Sequence, residues 1–227
     1  MHMIFKDRLE AGRLLSHSLQ DYKDRPYTLV LAIPRGAVPL AFEVAKDLNA
    51  PLDVFVVRKL GVPEDPELAF GAIASGGVRV FNNDLLQSLS IPKSVIDRVT
   101  QEEEEELARR ELKYRGGAAA PEVFGKTVLL IDDGIATGAS IRAAVLALKQ
   151  LHPKRLVLAV PTASQSALHL IRPLVDECII LSAPEPFRSV AQSYAAFPQV
   201  GDEEVVSLLK RSRDFGKART DARPKLL

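Results

Sequence analysis

Two adjacent carboxylates and a turn of small residues lie in the stretch VLLIDDGIATGAS, residues 128 to 140. Four apolar residues lead directly into Asp132 and Asp133. Because like charges held side by side cost free energy, this pair indicates a ligand that requires both acids. Carboxylate oxygens accept hydrogen bonds from hydroxyl groups and also bind divalent cations.

The residues that follow the acids, 134 to 140, are suited to binding a phosphate. The apolar spacing after them predicts a helix over 138–150. The free N–H groups and the dipole at the start of a helix favour an anion. Small residues let the backbone approach that anion, and Thr137 and Ser140 add hydroxyl donors. The stretch therefore combines phosphate donors with acceptors for sugar hydroxyls, as a sugar phosphate requires.

Competing phosphate motifs fit this stretch less well. The P-loop pattern G-x-x-x-x-G-K-[ST] needs a lysine that the turn lacks, and the dinucleotide pattern G-x-G-x-x-G is absent. The structural alternative is a helix N-cap with two incidental acids, since one Asp is ordinary at such a position. Two acids followed by Thr-Gly-x-Ser favour the binding site.

Alternating strands and helices must position these residues. Apolar runs predict strands over 28–33, 52–57, 127–131, 155–160 and 177–182, and a hairpin of 67–74 with 78–81. Helical spacing predicts helices over 6–21, 38–48, 92–114, 138–150, 164–173 and 202–212. Several strands are apolar on both faces, which predicts an α/β fold with a mostly parallel central sheet flanked by helices. Ligands of such sheets bind beyond the carboxyl ends of the strands.

Composition limits the class of protein. The chain has 227 residues, 47% of them hydrophobic, which fits one domain over 1–212 with a core of about 25–182 and a basic, disordered tail over 213–227. With 30 basic and 29 acidic residues, nothing indicates a nucleic-acid or membrane partner. The single Cys178 cannot form an internal disulfide, and no apolar run has the length of a membrane span. We therefore expect a cytoplasmic protein.

The motif at 128–140 resembles the 5-phosphoribosyl-1-diphosphate (PRPP) signature of type I phosphoribosyltransferases. That signature is an apolar strand, two acids, two variable residues and then x-T-G-x-[ST], and the match runs from Val128 to Ser140. The resemblance implies a Rossmann-like core with a small hood and a flexible loop or hairpin. It implies that Asp132 and Asp133 bind the ribose hydroxyls and Mg²⁺, directly or through water or substrate. The residues it assigns to the 5-phosphate are Gly134, Ala136, Thr137, Gly138, Ala139 and Ser140.

The diphosphate of PRPP requires a second anion site, for which IPRGA at 33–37 is the candidate. Arg35 supplies a forked cation and Gly36 permits an unusual backbone angle, although Pro-Arg-Gly alone is only a turn. The resemblance to the family's diphosphate loop implies that Pro34, Arg35, Gly36 and Ala37 bind there, with a strained peptide at Pro34–Arg35 that can be cis.

Two cations at the predicted end of the second strand are further candidates for the diphosphate. Arg58 and Lys59 would point to opposite faces of that strand. An ordinary charged strand end is the alternative for Arg58, and the resemblance favours Lys59. Lys59, Arg35 and Asp133 are therefore the candidate catalytic residues.

Two more segments are expected to cover the site. A hood over 183–204 contains Phe187, Tyr194 and Phe197, any of which could stack on a nucleobase, with core packing as the alternative for each. The resemblance implies a mobile flap just before the signature strand, over about 102–123.

The substrate is only partly indicated. Ala136 stands where the hypoxanthine–guanine branch of the family has an aspartate, which favours an adenine-like base over a 6-oxopurine. GVPEDPELAFGAI, residues 61 to 73, is similar to phosphoribosyltransferases of unassigned substrate, some of them fused to hydrolase domains.

The resemblance implies a Mg²⁺-dependent phosphoribosyltransferase of nucleotide salvage. Such an enzyme transfers the 5-phosphoribosyl group from PRPP to a nitrogen heterocycle, here a nucleobase, and releases diphosphate. A homodimer is expected through apolar segments around 67–81. The alternative is a PRPP-binding regulatory protein without turnover. The basic tail is the only sequence feature that favours this alternative. A PRPP synthetase would show two similar domains, and the sequence has no such duplication.

Overall fold

A five-stranded parallel sheet forms the centre of the fold. The structure is a computed structural model that describes residues 3–63 and 65–216, apart from the side chains of 66 and 67. The strands lie in the order β2-β1-β6-β7-β8. Their bounds are β1 Thr28–Ala32, β2 Leu52–Val54, β6 Thr127–Ile131, β7 Arg155–Thr162 and β8 Glu177–Ser182. Strands β1 and β6 pair with Thr28 opposite Thr127 and Ala32 opposite Ile131, so both strands end at the same level of the sheet.

Helices cover both faces of this sheet. Their bounds are α1 Arg8–His17, α2 Ala37–Leu48, α3 Asn83–Ser88, α4 Lys93–Arg115, α5 Ala139–Gln150, α6 Gln165–Ile171 and α7 Asp202–Arg211, with short 3-10 turns at Gln20–Tyr22, Arg172–Leu174, Val190–Ser193 and Ser212–Asp214. Successive residues of β6 face different cores: Leu129 lies in the core of α1, α2 and α7, and Leu130 lies in that of α5 and α6. This two-sided burial explains why the strands are continuously apolar, and it confirms the predicted fold class.

A second, antiparallel sheet contains β3 Val57–Val62, β4 Asp65–Ala74 and β5 Val78–Phe81. The predicted hairpin is its β4–β5 pair. The prediction of one strand over 52–57, with Arg58 and Lys59 at its end, is wrong. Phe55 donates its N–H to Ala32 in the central sheet and Val56 donates to the Ser75 hydroxyl beside the second sheet, so the buried chain passes here from one sheet to the other.

The segment predicted as a mobile flap, 102–123, is mostly helix. Helix α4 continues to Arg115, whose buried guanidinium donates to the Asp53 carboxylate and to the Val54 carbonyl. Tyr114 is also buried. Only 116–126 is loop, and it leads into the amino end of β6, opposite the acids. The flap prediction therefore fails, because buried side chains fix the helix and the loop lies at the wrong edge of the sheet.

The chain end differs in part from the predicted disordered tail. Ser212–Asp214 form a 3-10 turn, and the Phe215 ring lies 5.2 Å from the Phe42 ring, between centroids. Residues 213–216 therefore pack on the domain, which corrects that part of the prediction. The remainder of the predicted tail, 217–227, lies outside the described residues. Among the residues described, no helix is both long and apolar enough to cross a membrane.

Candidate active site

The two acids follow β6 directly and are partly buried. The Asp133 N–H donates to the Asp132 carboxylate at 2.9 Å. Burial, and then the negative charge of Asp133, raise the pKa of Asp132 well above its ordinary value. Burial also raises the pKa of Asp133, and the guanidinium of Arg8 acts against that rise. A cation or several hydroxyl donors would stabilise the ionised pair.

The phosphate turn is fixed at its base by the end of β7. The Ile135 N–H donates to the Thr162 carbonyl, the Ser164 N–H donates to the Ile135 carbonyl, and the Ser164 hydroxyl donates to the Ala136 carbonyl at 2.6 Å. A Cβ added at Gly134 would lie 2.5 Å from the Val190 side chain, so only glycine fits there.

The tip of the same turn is open. Gly138 has φ +80°, a left-handed conformation that favours glycine, and it caps α5. The candidate phosphate contacts Ala136, Thr137, Ala139 and Ser140 are exposed. The start of α5 is therefore accessible from outside, as an anion site at a helix start requires. The structure thus brings together the whole predicted 5-phosphate set on one turn.

The candidate diphosphate loop lies against the acids. The Pro34–Arg35 peptide is cis, as the resemblance allowed, and α2 begins at Ala37. A Cβ added at Gly36 would lie 2.2 Å from Asp133 Oδ2, so the loop and the carboxylate are in contact. Parallel pairing of β1 with β6 produces this contact, because both loops leave the same edge of the sheet. Asp133 thus directly precedes the candidate 5-phosphate turn, which begins at Gly134, and contacts the Pro34–Ala37 loop.

The candidate cations Arg35 and Lys59 line different cavities. Arg35 lines a cavity of about 340 Å³ together with Arg8 and Arg110. Lys59, on β3, lines another of about 480 Å³ that reaches Ala139 of the phosphate turn. The joint contact of Arg35 and Lys59 with diphosphate therefore stays a prediction.

Arg58 is already engaged with another element. Its guanidinium is paired with Glu103 of α4 at 2.5 Å. This pairing favours a structural role for Arg58, the alternative that its position in the sequence left open.

The three hood aromatics have different environments. Tyr194 is 6% exposed, its hydroxyl donates to the Asp133 carbonyl at 2.6 Å, and its ring packs on Phe5 and Phe197. The Phe197 ring is covered by the Arg8 guanidinium, 3.7 Å from the ring centroid. Phe187 is partly buried. These contacts favour packing for Tyr194 and Phe197, and base stacking by any of the three stays a prediction.

Two arginines lie near the site in positions that the sequence did not predict. Arg8 begins α1, 125 residues before its partner Asp133, and its leucine-rich surroundings gave no sign of a site. Arg110 was assigned to the flap, but it lies on α4, where it pairs with Glu106 and lines the Arg35 cavity. Their roles depend on tertiary packing that no local pattern encodes.

In the part of the chain that the structure describes, no group of three or more His, Cys, Asp and Glu residues is placed so that it could hold a metal ion. Asp132 and Asp133 offer a carboxylate pair beside the candidate diphosphate loop. One or two carboxylates together with substrate phosphates is the donor set on which Mg²⁺ usually binds. The residues therefore fit Mg²⁺ that is shared with a diphosphate substrate.

Comparison with known proteins places this site in a family. The phosphoribosyl transferase domain family matches residues 63–190, which contain the acids and the phosphate turn. The chain belongs to the phosphoribosyl transferase family. Two Mycobacterium tuberculosis proteins, Rv0571c of strain H37Rv and MT0597 of strain CDC 1551 / Oshkosh, are provisionally named phosphoribosyl transferases and are each 43% identical to it over 216 residues.

A solved structure has a fold similar to that of this chain. The crystal structure of TT1426 from Thermus thermophilus has a TM-score of 0.83 and 38% identity, and the match covers 92% of this chain and 99% of that one. The match to the mycobacterial relatives covers 95% of this chain and 48% of theirs, so the chain spans about half their length.

Proposed function

We propose that this chain transfers the 5-phosphoribosyl group of PRPP to a nitrogen heterocycle and releases diphosphate. One observation carries the proposal: Gly36 of the anion loop touches Asp133, and the phosphate turn begins at the next residue. Two hydroxyl acceptors thus lie between two anion sites. PRPP has the matching order, with a ribose between its 5-phosphate and its diphosphate.

The residues have separate roles in this proposal. Asp132 and Asp133 accept the 2- and 3-hydroxyls of the ribose, and the N–H groups of the turn bind the 5-phosphate. Arg35 and the loop from Pro34 to Ala37 hold the diphosphate, with Lys59 as a further candidate. These contacts fix the donor before it reacts.

Bond cleavage leaves positive charge at C1 of the ribose and negative charge on the diphosphate. Carboxylates near the ribose favour the first charge, and Arg35 favours the second. Mg²⁺ bound with the diphosphate would supply additional neutralisation of the leaving group. Water must be kept from the reacting carbon, and the hood over 183–204 is the segment that we propose for this purpose.

The acceptor that we propose is a nucleobase bound beneath the hood. Ala136 lacks the carboxylate that a 6-oxopurine branch would present, so adenine is favoured over hypoxanthine and guanine. Phe187 is the hood aromatic for which the described residues show no ring contact. A cytoplasmic role in salvage and a homodimer belong to the same proposal, the dimer through exposed Leu68 and Phe81.

The test is diphosphate release from PRPP with Mg²⁺ in the presence of adenine, guanine, hypoxanthine, xanthine, uracil or orotate. We expect release with adenine and much slower release with the 6-oxopurines. A Ser88→Ala variant is the control for the effect of a substitution as such, because helix α3 contains no buried residue. Tight PRPP binding without release for any base would favour the alternative, a regulatory PRPP-binding protein. Absence of both binding and release would contradict the proposal.

A further inference from the structure

Arg8 lies where helix α1, the acid Asp133 and the hood over 183–204 meet. It is the first residue of α1, and the segment just before it pairs with the hood: the Phe5 N–H donates to the Ser193 carbonyl and the Ala195 N–H to the Phe5 carbonyl, each at 2.8 Å. The Arg8 side chain is 9% exposed. Burial of a guanidinium costs free energy unless its donors are paired. The partners of Arg8 therefore indicate its role.

Every nitrogen of this guanidinium has a partner. Nε donates to Asp133 Oδ2 at 2.9 Å, Nη2 lies 2.9 Å from the same oxygen in an ion pair, and Nη1 donates to the Pro198 carbonyl at 2.7 Å. The flat face of the group lies 3.7 Å from the centroid of the Phe197 ring. One side chain therefore joins an acid of the PRPP signature to two residues of the hood.

The contact with Asp133 is asymmetric. The hydrogen bond from Nε and the ion-pair contact of Nη2 both end on Oδ2, the oxygen that also faces Gly36 of the candidate diphosphate loop. No side chain among the described residues donates to Oδ1 of Asp133, and this is the oxygen that we assign to a ribose hydroxyl. The positive charge of Arg8 also offsets the repulsion between the two neighbouring carboxylates. Arg8 thus orients Asp133 without occupying the oxygen that a ribose would use.

We propose that Arg8 is a positioning residue for ribose binding and that it couples the orientation of Asp133 to the hood. The inference rests on the proposed function, because it assumes that Asp133 binds ribose. Arg8 also lines the Arg35 cavity, but each of its guanidinium nitrogens is engaged by Asp133 or Pro198, so its proposed effect on the ribose is exerted through the acid. Because its other two contacts are to hood residues Phe197 and Pro198, a displaced hood would also release Asp133 from its binding orientation.

The test separates ribose binding from phosphate binding. In the intact chain, Arg8→Ala and Arg8→Lys are compared with wild type by calorimetry, with inorganic phosphate and ribose 5-phosphate as probes. We expect Arg8→Ala to weaken ribose 5-phosphate binding about tenfold or more, the effect of a lost charge-assisted hydrogen bond, and to leave phosphate binding unchanged. Arg8→Lys, which keeps the charge and loses the fork, should be intermediate. Arg13→Ala, on the same helix and exposed, is the matched control.

The outcomes distinguish this inference from the function on which it rests. If wild type fails to bind ribose 5-phosphate, the proposed function fails first. If wild type binds and a folded Arg8→Ala binds equally well, the positioning role is wrong. An equal loss of phosphate and ribose 5-phosphate binding would also overturn it, because that result means general disruption of the site. If Arg8→Ala does not fold, Arg8→Lys gives the decision by the same comparison.

Discussion

Single atoms decide the geometry of the site at the residue scale. Gly36 has an ordinary right-handed conformation, with φ −55° and ψ −36°, so it is not required for backbone freedom. It is required because any side chain would collide with Asp133 Oδ2. From the sequence, this glycine was expected to supply an unusual backbone angle, and the structure corrects that reason while keeping the residue in the site.

A substitution at Gly36 tests this steric explanation. Gly36→Ala would place its Cβ 2.2 Å from Asp133 Oδ2. We expect a stability loss of about 1–3 kcal/mol, typical of overpacking, together with weaker binding of ribose 5-phosphate. Urea unfolding and calorimetry measure the two effects. Gly201→Ala is the matched control, since a Cβ there meets no atom within 4 Å. Equal behaviour of the two variants would contradict the proposed contact.

The residue scale also shows what a local motif can encode. The stretch 128–140 is contiguous, so its apolar run, acids and glycines predicted the strand, the turn and the helix start, and the structure contains all three. Arg8 was missed because its partner is 125 residues away in sequence and its role exists only after folding. The same reason explains why the burial of Tyr194 could not be predicted from aromatic content alone.

At the scale of elements, α4 and α7 are joined beside the site by the contacts of Lys113 and Tyr114 with Asp202, which we call the clamp. Asp202, the first residue of α7, accepts hydrogen bonds from Lys113 at 2.7 Å and from the Tyr114 hydroxyl at 2.8 Å, and it lies 3.7 Å from Arg35. The hydrogen bonds from Lys113 and Tyr114 lower the pKa of Asp202. Burial, and then the contact with Asp202, raise the pKa of Tyr114 to about 12.

The clamp should depend on pH in one direction. Because the pKa of Asp202 is lower in the folded chain, its contribution to stability is present above the ordinary pKa of an aspartate and is lost as the pH falls through the lowered value. We expect Asp202→Asn to cost about 1 kcal/mol at neutral pH, with a difference from wild type that shrinks in acid. Glu203→Gln, the exposed neighbour in the same helical turn, is the control. A difference that stays constant from neutral pH to pH ~3 would contradict the role of the ionised carboxylate.

Element boundaries were predicted well where one pattern coincides with one element. β6 and β8 have the predicted bounds, and α2 and α5 each differ from theirs by one residue. The run over 52–57 was misassigned because Phe55 and Val56 are apolar like their neighbours and yet join two sheets. Helix α3 has six residues, too few for a clear helical period, and it was not predicted.

On the scale of the whole molecule, parallel topology creates the site. Strand β1 lies between β2 and β6, and β7 lies beside β6, so the loops after β1, β6 and β7 meet at one edge. The alternation of strands and helices predicted a parallel sheet, but the strand order and the separate antiparallel sheet required the structure. The match to relatives of about twice this length adds that some family members combine this domain with further sequence.

The assembled site is proposed to bind PRPP with its ribose on Asp132 and Asp133, between two anion sites. The most direct test is calorimetric titration of PRPP with Mg²⁺ into wild type and into Asp132→Asn, with folding of the variant checked by thermal melting. We expect that wild type binds PRPP, that inorganic diphosphate and ribose 5-phosphate each compete, and that Asp132→Asn binds about tenfold more weakly while remaining folded. Equal affinity of the two proteins for PRPP, or no binding by wild type, would show that the acids do not hold the ribose.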